Sequence, residues 1–269
     1  MLNDISLGRY IDTGSVFHRM DPRVKLIVFL VYMVAVFSVS TVQGLVIIGV
    51  ILLAQLILSK MTPKMIFSTL KPVIPFTIFI VLLNLFTIKT GKEVWSWKFL
   101  TITEGGIHNA VFMGVRLIFL ILITSVMLTL TTTPLKLSDA LENLMGPLKK
   151  IKVPVHEMAM MMSIALRFIP TLLDETDKIM KAQESRGADY DTGSIINRLK
   201  GYVTVLIPLF ISSFKRAEEL ATAMDARCYR GGEGRTKLNP LIITRFDVIW
   251  GIILTLGAAA IIVVNIVFK

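Results

Sequence analysis

The sequence is poor in residues that bind metals or form disulfides. It has one cysteine, Cys228, and three histidines that lie far apart, His18, His108 and His156. One thiol forms neither an internal disulfide nor a cluster of thiolate ligands. No pair of histidines has the i, i+4 spacing of a helical zinc motif. We therefore expect no metal site, no catalytic residue and no cofactor.

The sequence also lacks a nucleotide-binding motif. The Gly-x-x-x-x-Gly-Lys-Ser/Thr pattern of P-loop ATPases does not occur. The most similar stretches, 90–93 and 231–235, lack its spacing and its magnesium-binding hydroxyl. If the chain takes part in an ATP-driven process, another polypeptide must hydrolyse the ATP.

Charged residues are scarce. They make up 18% of the chain, against about a quarter in soluble domains, while 54% of the residues are hydrophobic and the mean hydropathy is +0.71. These values predict an integral membrane protein. The net charge of +10 is then better explained by basic cytoplasmic loops than by nucleic-acid binding. We expect no cleavable signal peptide, since the first apolar run begins near Val24, after the charged stretch 19–23.

Uncharged runs predict about five transmembrane helices, because one crossing needs about 20 apolar residues. Residues 26–59 are long enough for two short spans separated by a turn at 38–44. Lys60, Lys64 and Lys71 predict a basic loop after the second span, and the other three spans are predicted at 72–88, 112–133 and 248–268. Arg116, near one end of the fourth span, is expected to extend to the membrane interface.

The basic residues predict the orientation in the membrane. Of the 29 lysines and arginines, 17 lie between Lys136 and Arg245. Basic loops face the cytoplasm, so we predict a multi-pass plasma-membrane protein with its N-terminus inside and its C-terminus outside. Three regions follow: residues 1–133 with four spans, a cytoplasmic or interfacial region at 134–245, and a last span at 246–269.

The middle region is too long for a structureless loop, and its apolar spacing predicts helices. A short amphipathic helix is expected at 135–149, with Ser138 as its N-cap. Two long helices are expected at 155–184 and 195–227, and each contains a proline. The predicted fold is an all-α integral membrane protein with about five transmembrane helices, one short helix and two long ones.

The two long helices end on similar triplets, Ser185-Arg186-Gly187 and Ala226-Arg227-Cys228. A cation in the last turn stabilises a helix by about 0.3–1 kcal/mol, and a left-handed glycine commonly closes one. These local roles explain either triplet alone. The pair is better explained as matched contact points for a two-lobed cytoplasmic partner, since a guanidinium can bind a carboxylate through two hydrogen bonds.

These triplets, together with the segments 15–25 and 165–170, resemble the transmembrane T component (EcfT-like) of energy-coupling factor (ECF) transporters. The resemblance covers nearly the whole chain. In that family, two cytoplasmic coupling helices end in Ala-Arg-Gly-type signatures. This sequence departs from them at Ser185 and at Cys228. Both substitutes are small, but Cys228 makes a left-handed helix end less certain than Gly187 does.

The resemblance implies a non-catalytic subunit that links two ABC-type ATPase subunits to a membrane-embedded substrate-binding S component for vitamin or micronutrient uptake. The six residues of the triplets would bind the ATPase subunits. A competing hypothesis is a membrane enzyme acting on a lipid or prenyl substrate through the acidic residues Asp174, Glu175 and Asp177. These acids lie within an amphipathic helical pattern and are expected on its solvated face. A secondary transporter is disfavoured because the spans contain almost no ionisable residues.

Overall fold

The structure is a computed structural model, and it describes residues 13–97, 100–188, 195–232 and 240–268. The helices are α1 (Val16–Arg19), α2 (Pro22–Ser38), α3 (Val42–Leu58), α4 (Pro63–Leu70), α5 (Ile74–Thr87), α6 (Glu104–Thr124), α7 (Pro134–Leu144), α8 (Val155–Glu184), α9 (Ile195–Ala226) and α10 (Arg245–Val267). A π-helical turn, Ser125–Thr129, continues α6, and a 3₁₀ segment, Gly146–Ile151, follows α7. Two short antiparallel strands, β1 (Glu93–Trp97) and β2 (Leu100–Thr103), precede α6.

The chain divides into two compact units. Residues 8–140 and 241–269 belong to the first, which we call the membrane unit. Residues 141–240, with 1–7, belong to the second, which we call the arm unit.

The prediction of an all-α membrane protein is confirmed. Among the described helices, Glu104–Thr129 and Arg245–Val267 are long and apolar enough to cross a membrane. The pair α4 and α5 qualifies if its two helices, bent by 59°, count as one span. α2 and α3 coincide with the first two predicted spans but have only 17 residues each, near the lower limit for a crossing. Five crossings stay a prediction.

Two boundaries in this region differ from the sequence-based expectation. Residues 63–70, expected to be a basic loop, form α4, because Pro63 occupies the first turn, where proline is preorganised for a helix. The fourth span begins at Glu104 instead of residue 112, because the Thr103 hydroxyl caps it by accepting from the Gly106 amide at 3.1 Å. Gly105 allows close approach there, since a Cβ would lie 2.5 Å from the Thr90 carbonyl oxygen.

The helix expected at 135–149 is also shorter than predicted. α7 begins at Pro134, so Ser138 lies inside it, buried, and is not the N-cap. The helix ends at Leu144, and the basic tail continues as the 3₁₀ segment. Pro147 explains this ending, because a proline disfavours α-helical geometry at the residue before it, here Gly146.

The first and last spans of the membrane unit are joined by a polar network. Asp21 caps α2, accepting from the Arg23 amide at 2.8 Å, with Pro22 as the first helical residue. The Asp21 amide donates to Asp247 Oδ1 at 2.7 Å, and the Thr244 amide donates to Asp247 Oδ2 at 2.8 Å. One carboxylate therefore orders the starts of both α2 and α10.

A buried lysine joins α2 to the end of the fourth span. Lys25 is 1% exposed, and its ammonium donates to the Thr131 carbonyl at 2.9 Å and to the Thr132 hydroxyl at 3.1 Å. Carbonyls at the end of a helix lack partners in their own helix. Lys25 therefore supplies hydrogen-bond donors where the fourth span leaves such groups.

At the opposite ends of these helices, the turn predicted at 38–44 is confirmed. α2 ends at Ser38 and α3 begins at Val42. Asn265 of α10 holds the turn, accepting from the Ser40 amide at 2.9 Å and donating to the Ser38 carbonyl at 2.8 Å. Arg116 also reaches this region, where its guanidinium donates to the Phe37 carbonyl and lies 5.2 Å from the centre of the Phe37 ring.

Candidate functional site

The two long helices of the arm unit carry the predicted site. α8 has the predicted bounds, and α9 ends one residue earlier than expected, at Ala226. Pro170 and Pro208 lie inside them without ending them. A proline inside a helix removes one backbone hydrogen bond and tends to kink it, so each helix keeps its length in spite of a local defect.

The end of α8 is closed by a left-handed glycine, as expected. Gly187 has a φ of 89°. Its amide donates to the Glu184 carbonyl at 2.9 Å, and the Ala188 amide donates to the Gln183 carbonyl at 3.0 Å. This pair of bonds is the Schellman motif, which satisfies carbonyls that the last helical turn leaves free.

The end of α9 has the same backbone geometry. Cys228 occupies the left-handed position with a φ of 55°. Its amide donates to the Asp225 carbonyl at 2.9 Å, and the Tyr229 amide donates to the Met224 carbonyl at 3.0 Å. Cys228 thus closes its helix in the left-handed conformation. A side chain is unfavourable in this conformation, so the sequence predicted it less strongly here than at Gly187.

All six residues of the two triplets are exposed. Within the described part of the chain, neither the Arg186 nor the Arg227 guanidinium has an ion-pair or hydrogen-bond partner. Arg186 and Arg227 each precede the left-handed residue directly, so they occupy equivalent positions on their helices. Two equivalent cationic tips are therefore available to bind another molecule.

The two helices contact each other through one acidic side chain. The Arg216 guanidinium donates to Glu175 Oε2 at 2.6 Å, and the Ser212 hydroxyl donates to Glu175 Oε1. Both oxygens of the α8 carboxylate are thus bound by residues of α9 that lie one turn apart. The Glu175 side chain is 21% exposed and that of Arg216 35%.

This contact lies at the same distance from both tips. Eleven residues separate Glu175 from Arg186, and eleven separate Arg216 from Arg227. Eleven residues are about three helical turns, or about 16 Å along the axis. Each helix therefore extends an arm of equal length beyond the contact, and each arm ends on an arginine.

The expectation that Glu175 belongs to a solvated acidic face is wrong, because α9 binds both of its oxygens. The competing hypothesis of a membrane enzyme relied on Glu175 together with Asp174 and Asp177. With Glu175 held in an interhelical contact, this group does not form a free acidic cluster. Sequence analysis missed the pairing, although the equal spacing of Glu175 and Arg216 from the two tip arginines was a usable signal.

The start of α8 is also fixed by side-chain contacts. The His156 ring, near the start of α8, lies 2.9 Å from a carboxylate oxygen of Glu142. Gly232, six residues past α9, packs on the same ring, and a Cβ added to it would lie 2.5 Å from the His156 Cδ2 atom. The chain that leaves the second tip thus returns to the start of the first long helix.

Large apolar side chains remain exposed on both long helices. On α8 they are methionines: Met158, Met161 and Met162. On α9 they lie before and beside the Glu175 contact: Tyr202, Val203, Leu206, Ile207, Phe210, Ile211 and Phe214. Extended exposed apolar surfaces mark contacts with protein or lipid.

Comparison with known proteins places this architecture in a family. Residues 13–238 match the family model of the cobalt transport protein CbiQ. The chain is 53% identical over 249 residues to the energy-coupling factor transporter transmembrane protein EcfT of Ruminiclostridium cellulolyticum, covering 93% of this chain and 92% of the relative. It is 49% identical over 250 residues to the protein of the same name from Clostridium kluyveri, with the same coverage.

The Bacillus subtilis protein of that name is 45% identical over 247 residues, covering 92% of this chain and 93% of the relative. The match to the family model covers α1 to α9 and both arginine triplets and ends before α10, and each of these relatives covers at least 92% of the chain. The chain therefore belongs to the CbiQ family of cobalt transport proteins and, within it, to the EcfT-like transmembrane components of energy-coupling factor transporters.

Proposed function

We propose that this chain couples ATP hydrolysis by two partner ATPase subunits to substrate movement by a separate membrane-embedded S component. The observation that carries the proposal is the pair of exposed arginine tips, closed by the same backbone motif and equally distant from the Glu175–Arg216 contact. Two equivalent tips suit two equivalent or similar partners.

The triplets act in this proposal as the ATPase-binding residues: Ser185, Arg186, Gly187, Ala226, Arg227 and Cys228. Each arginine binds a carboxylate or main-chain carbonyls in a groove of one ABC-type ATPase, because a guanidinium offers five donors in a planar fork. The left-handed residue that follows turns the chain away from the helix axis. The ATPase can then close around the tip.

Movement passes from the tips along α8 and α9. When ATP binding brings the two ATPases together, the arms move with them. The exposed apolar side chains of α8 and α9 then transmit that movement to the S component, which binds the vitamin or micronutrient. Methionine side chains repack easily, which suits a surface that meets exchangeable partners. The chain itself remains non-catalytic.

The proposed topology has the N-terminus and residues 134–245 on the cytoplasmic side of the plasma membrane and the C-terminus outside. The positive-inside bias of the sequence supports this orientation. Cysteine accessibility from outside the cell tests it, with a single cysteine introduced at Ser40 or at Lys60 in a Cys228→Ser background. Labelling at Ser40 and protection at Lys60 are expected, and the reverse pattern contradicts the orientation.

The binding role is tested by co-expressing the chain with its ATPase and S-component partners. The double variant Arg186→Ala/Arg227→Ala should insert normally into the membrane but lose both the co-purifying ATPases and substrate uptake. Lys181→Ala and Arg230→Ala are matched controls, because they remove nearby exposed cations outside the triplets. Unchanged uptake by the double variant would refute the proposal.

A further inference from the structure

The contact between α8 and α9 is built to fix how the two helices lie along each other. Glu175 uses one carboxylate oxygen for Ser212 and the other for Arg216. These donors stand at i and i+4 on α9, so they lie on one face of that helix, about 5 to 6 Å apart. Satisfying both at once places Glu175 between them.

Apolar contact alone does not fix this position well. Non-polar packing is non-directional, so an apolar surface on one helix does not by itself select one position of the other. A helix can slide against such a surface by one turn, about 5.4 Å, and meet similar side chains again. A carboxylate displaced by one turn would lose Ser212 or Arg216 as a partner. Single polar contacts are known to set helix register in this way.

The position of the contact determines where the arginines stand. Because Glu175 and Arg216 are each eleven residues from a tip arginine, the present register gives two arms of equal length. A slide of one turn would shorten one arm relative to the other by about 5.4 Å. Two ATPase lobes that close symmetrically would then meet tips at unequal distances from the contact.

We infer that Glu175, Ser212 and Arg216 form a register clamp, a set of positioning residues that holds the two arginine tips at equal distances from the contact between α8 and α9. This inference rests on the proposed function for its role in transport, whereas its geometric content is independent of any partner. The three residues of the clamp lie outside both triplets. It acts by making the two arms move as one rigid pair.

The geometry is tested by the distance between spin labels at the two tips. Labels are attached at Glu184→Cys and Asp225→Cys, both exposed, in the full-length chain with Cys228→Ser, reconstituted in lipid nanodiscs. Adding Glu175→Ala should broaden the distance distribution by about 5 Å, the rise of one turn. The charge exchange Glu175→Arg/Arg216→Glu should restore a narrow distribution. Asp174→Ala, one residue away and exposed, is the matched control and should change nothing.

A narrow distribution in Glu175→Ala overturns the inference, and so does a distribution that stays broad after the charge exchange. The variant Glu175→Arg/Arg216→Glu is also a control for misfolding, since a narrow distance distribution is recovered only if the arm unit is folded. Glu175→Gln keeps the hydrogen-bonding shape without the charge and should give an intermediate width.

Transport supplies a second readout, in the assembled complex with Cys228 intact. Glu175→Ala leaves both triplets in place, so the ATPases should still co-purify, but the ATP hydrolysed per substrate imported should rise on the order of tenfold, as expected for a lost coupling of moderate size. An unchanged ratio of ATP hydrolysed to substrate imported counts against the clamp.

The two hypotheses can fail separately. If the variant Arg186→Ala/Arg227→Ala keeps its ATPases while the label distances behave as expected, the proposed function fails and the geometric inference stands. If the arginine variants lose the ATPases but the distances do not respond, only the clamp fails.

Discussion

Replacing Cys228 with glycine should stabilise the end of α9. Cys228 holds a φ of 55° at the position where the other tip has Gly187 at 89°. A side chain in the left-handed region costs roughly 1–2 kcal/mol. Glycine removes that cost, but it gives the unfolded chain more conformational freedom, which lowers stability by roughly 0.5–1 kcal/mol. The expected net gain in the free energy of local unfolding therefore lies within about 0–1.5 kcal/mol, centred on about 0.75 kcal/mol.

Hydrogen exchange measures this gain where it arises. The amides of Cys228 and Tyr229 donate the two bonds of the Schellman motif, and they exchange when the last turn opens. A gain near the centre of this range, about 0.5–1 kcal/mol, corresponds to a roughly two- to fivefold slower exchange of a peptide covering residues 224–229. Peptides from the middle of α9 should not change.

Two further substitutions separate the backbone effect from an effect of the thiol. Cys228→Ala removes the sulfur but keeps a Cβ at positive φ, so its exchange should resemble the parent protein. Gly187→Ala should act in the opposite direction and speed exchange over residues 183–188, because open space surrounds that position and only the backbone conformation opposes a side chain. Equal protection in Cys228→Ala and Cys228→Gly would refute the reasoning.

Three other substitutions test the packing described above. Lys25→Met removes the side chain that donates to the end of the fourth span and should lower stability by about 1–3 kcal/mol. This loss is measured as a lower midpoint of thermal unfolding in detergent. An unchanged midpoint would contradict the stabilising role of Lys25. Gly232→Ala places a Cβ against the His156 ring and should loosen the start of α8, seen as faster proteolysis of the arm unit than of the membrane unit. Asn265→Leu removes the hydrogen bonds that hold the 38–44 turn and should lower the midpoint of thermal unfolding in detergent. An equal or higher midpoint would show that the turn is stable without Asn265.

Some boundaries were predictable because the signals are local. Pro154 and Gly187 bracket α8, and both act through the backbone of their own neighbours. The predicted bounds of that helix are therefore confirmed to the residue. The turn at 38–44 and the Asp21 cap were predictable for the same reason.

The differences arise where the signal is competing or non-local. Lysines at 60–71 predicted a loop, but Pro63 begins a helix there in spite of them. The early start of α6 depends on Thr103 and on the close approach of Gly105 to Thr90, which a search for apolar runs does not detect. The pairing of Glu175 with α9 joins two residues that lie 37 positions apart in sequence, and that arrangement exists only after folding. Such tertiary contacts are invisible to helical periodicity alone.

The carboxylate of Asp247 has a consequence for the order in which the protein is made. Its oxygen binds the backbone amide of Asp21, 226 residues earlier in the chain. During synthesis the first span enters the membrane long before α10 exists, and until then this amide lacks its acceptor. The start of α2 therefore reaches its final hydrogen bonding only once α10 has been made and has packed beside it, so early folding of the membrane unit proceeds without this bond.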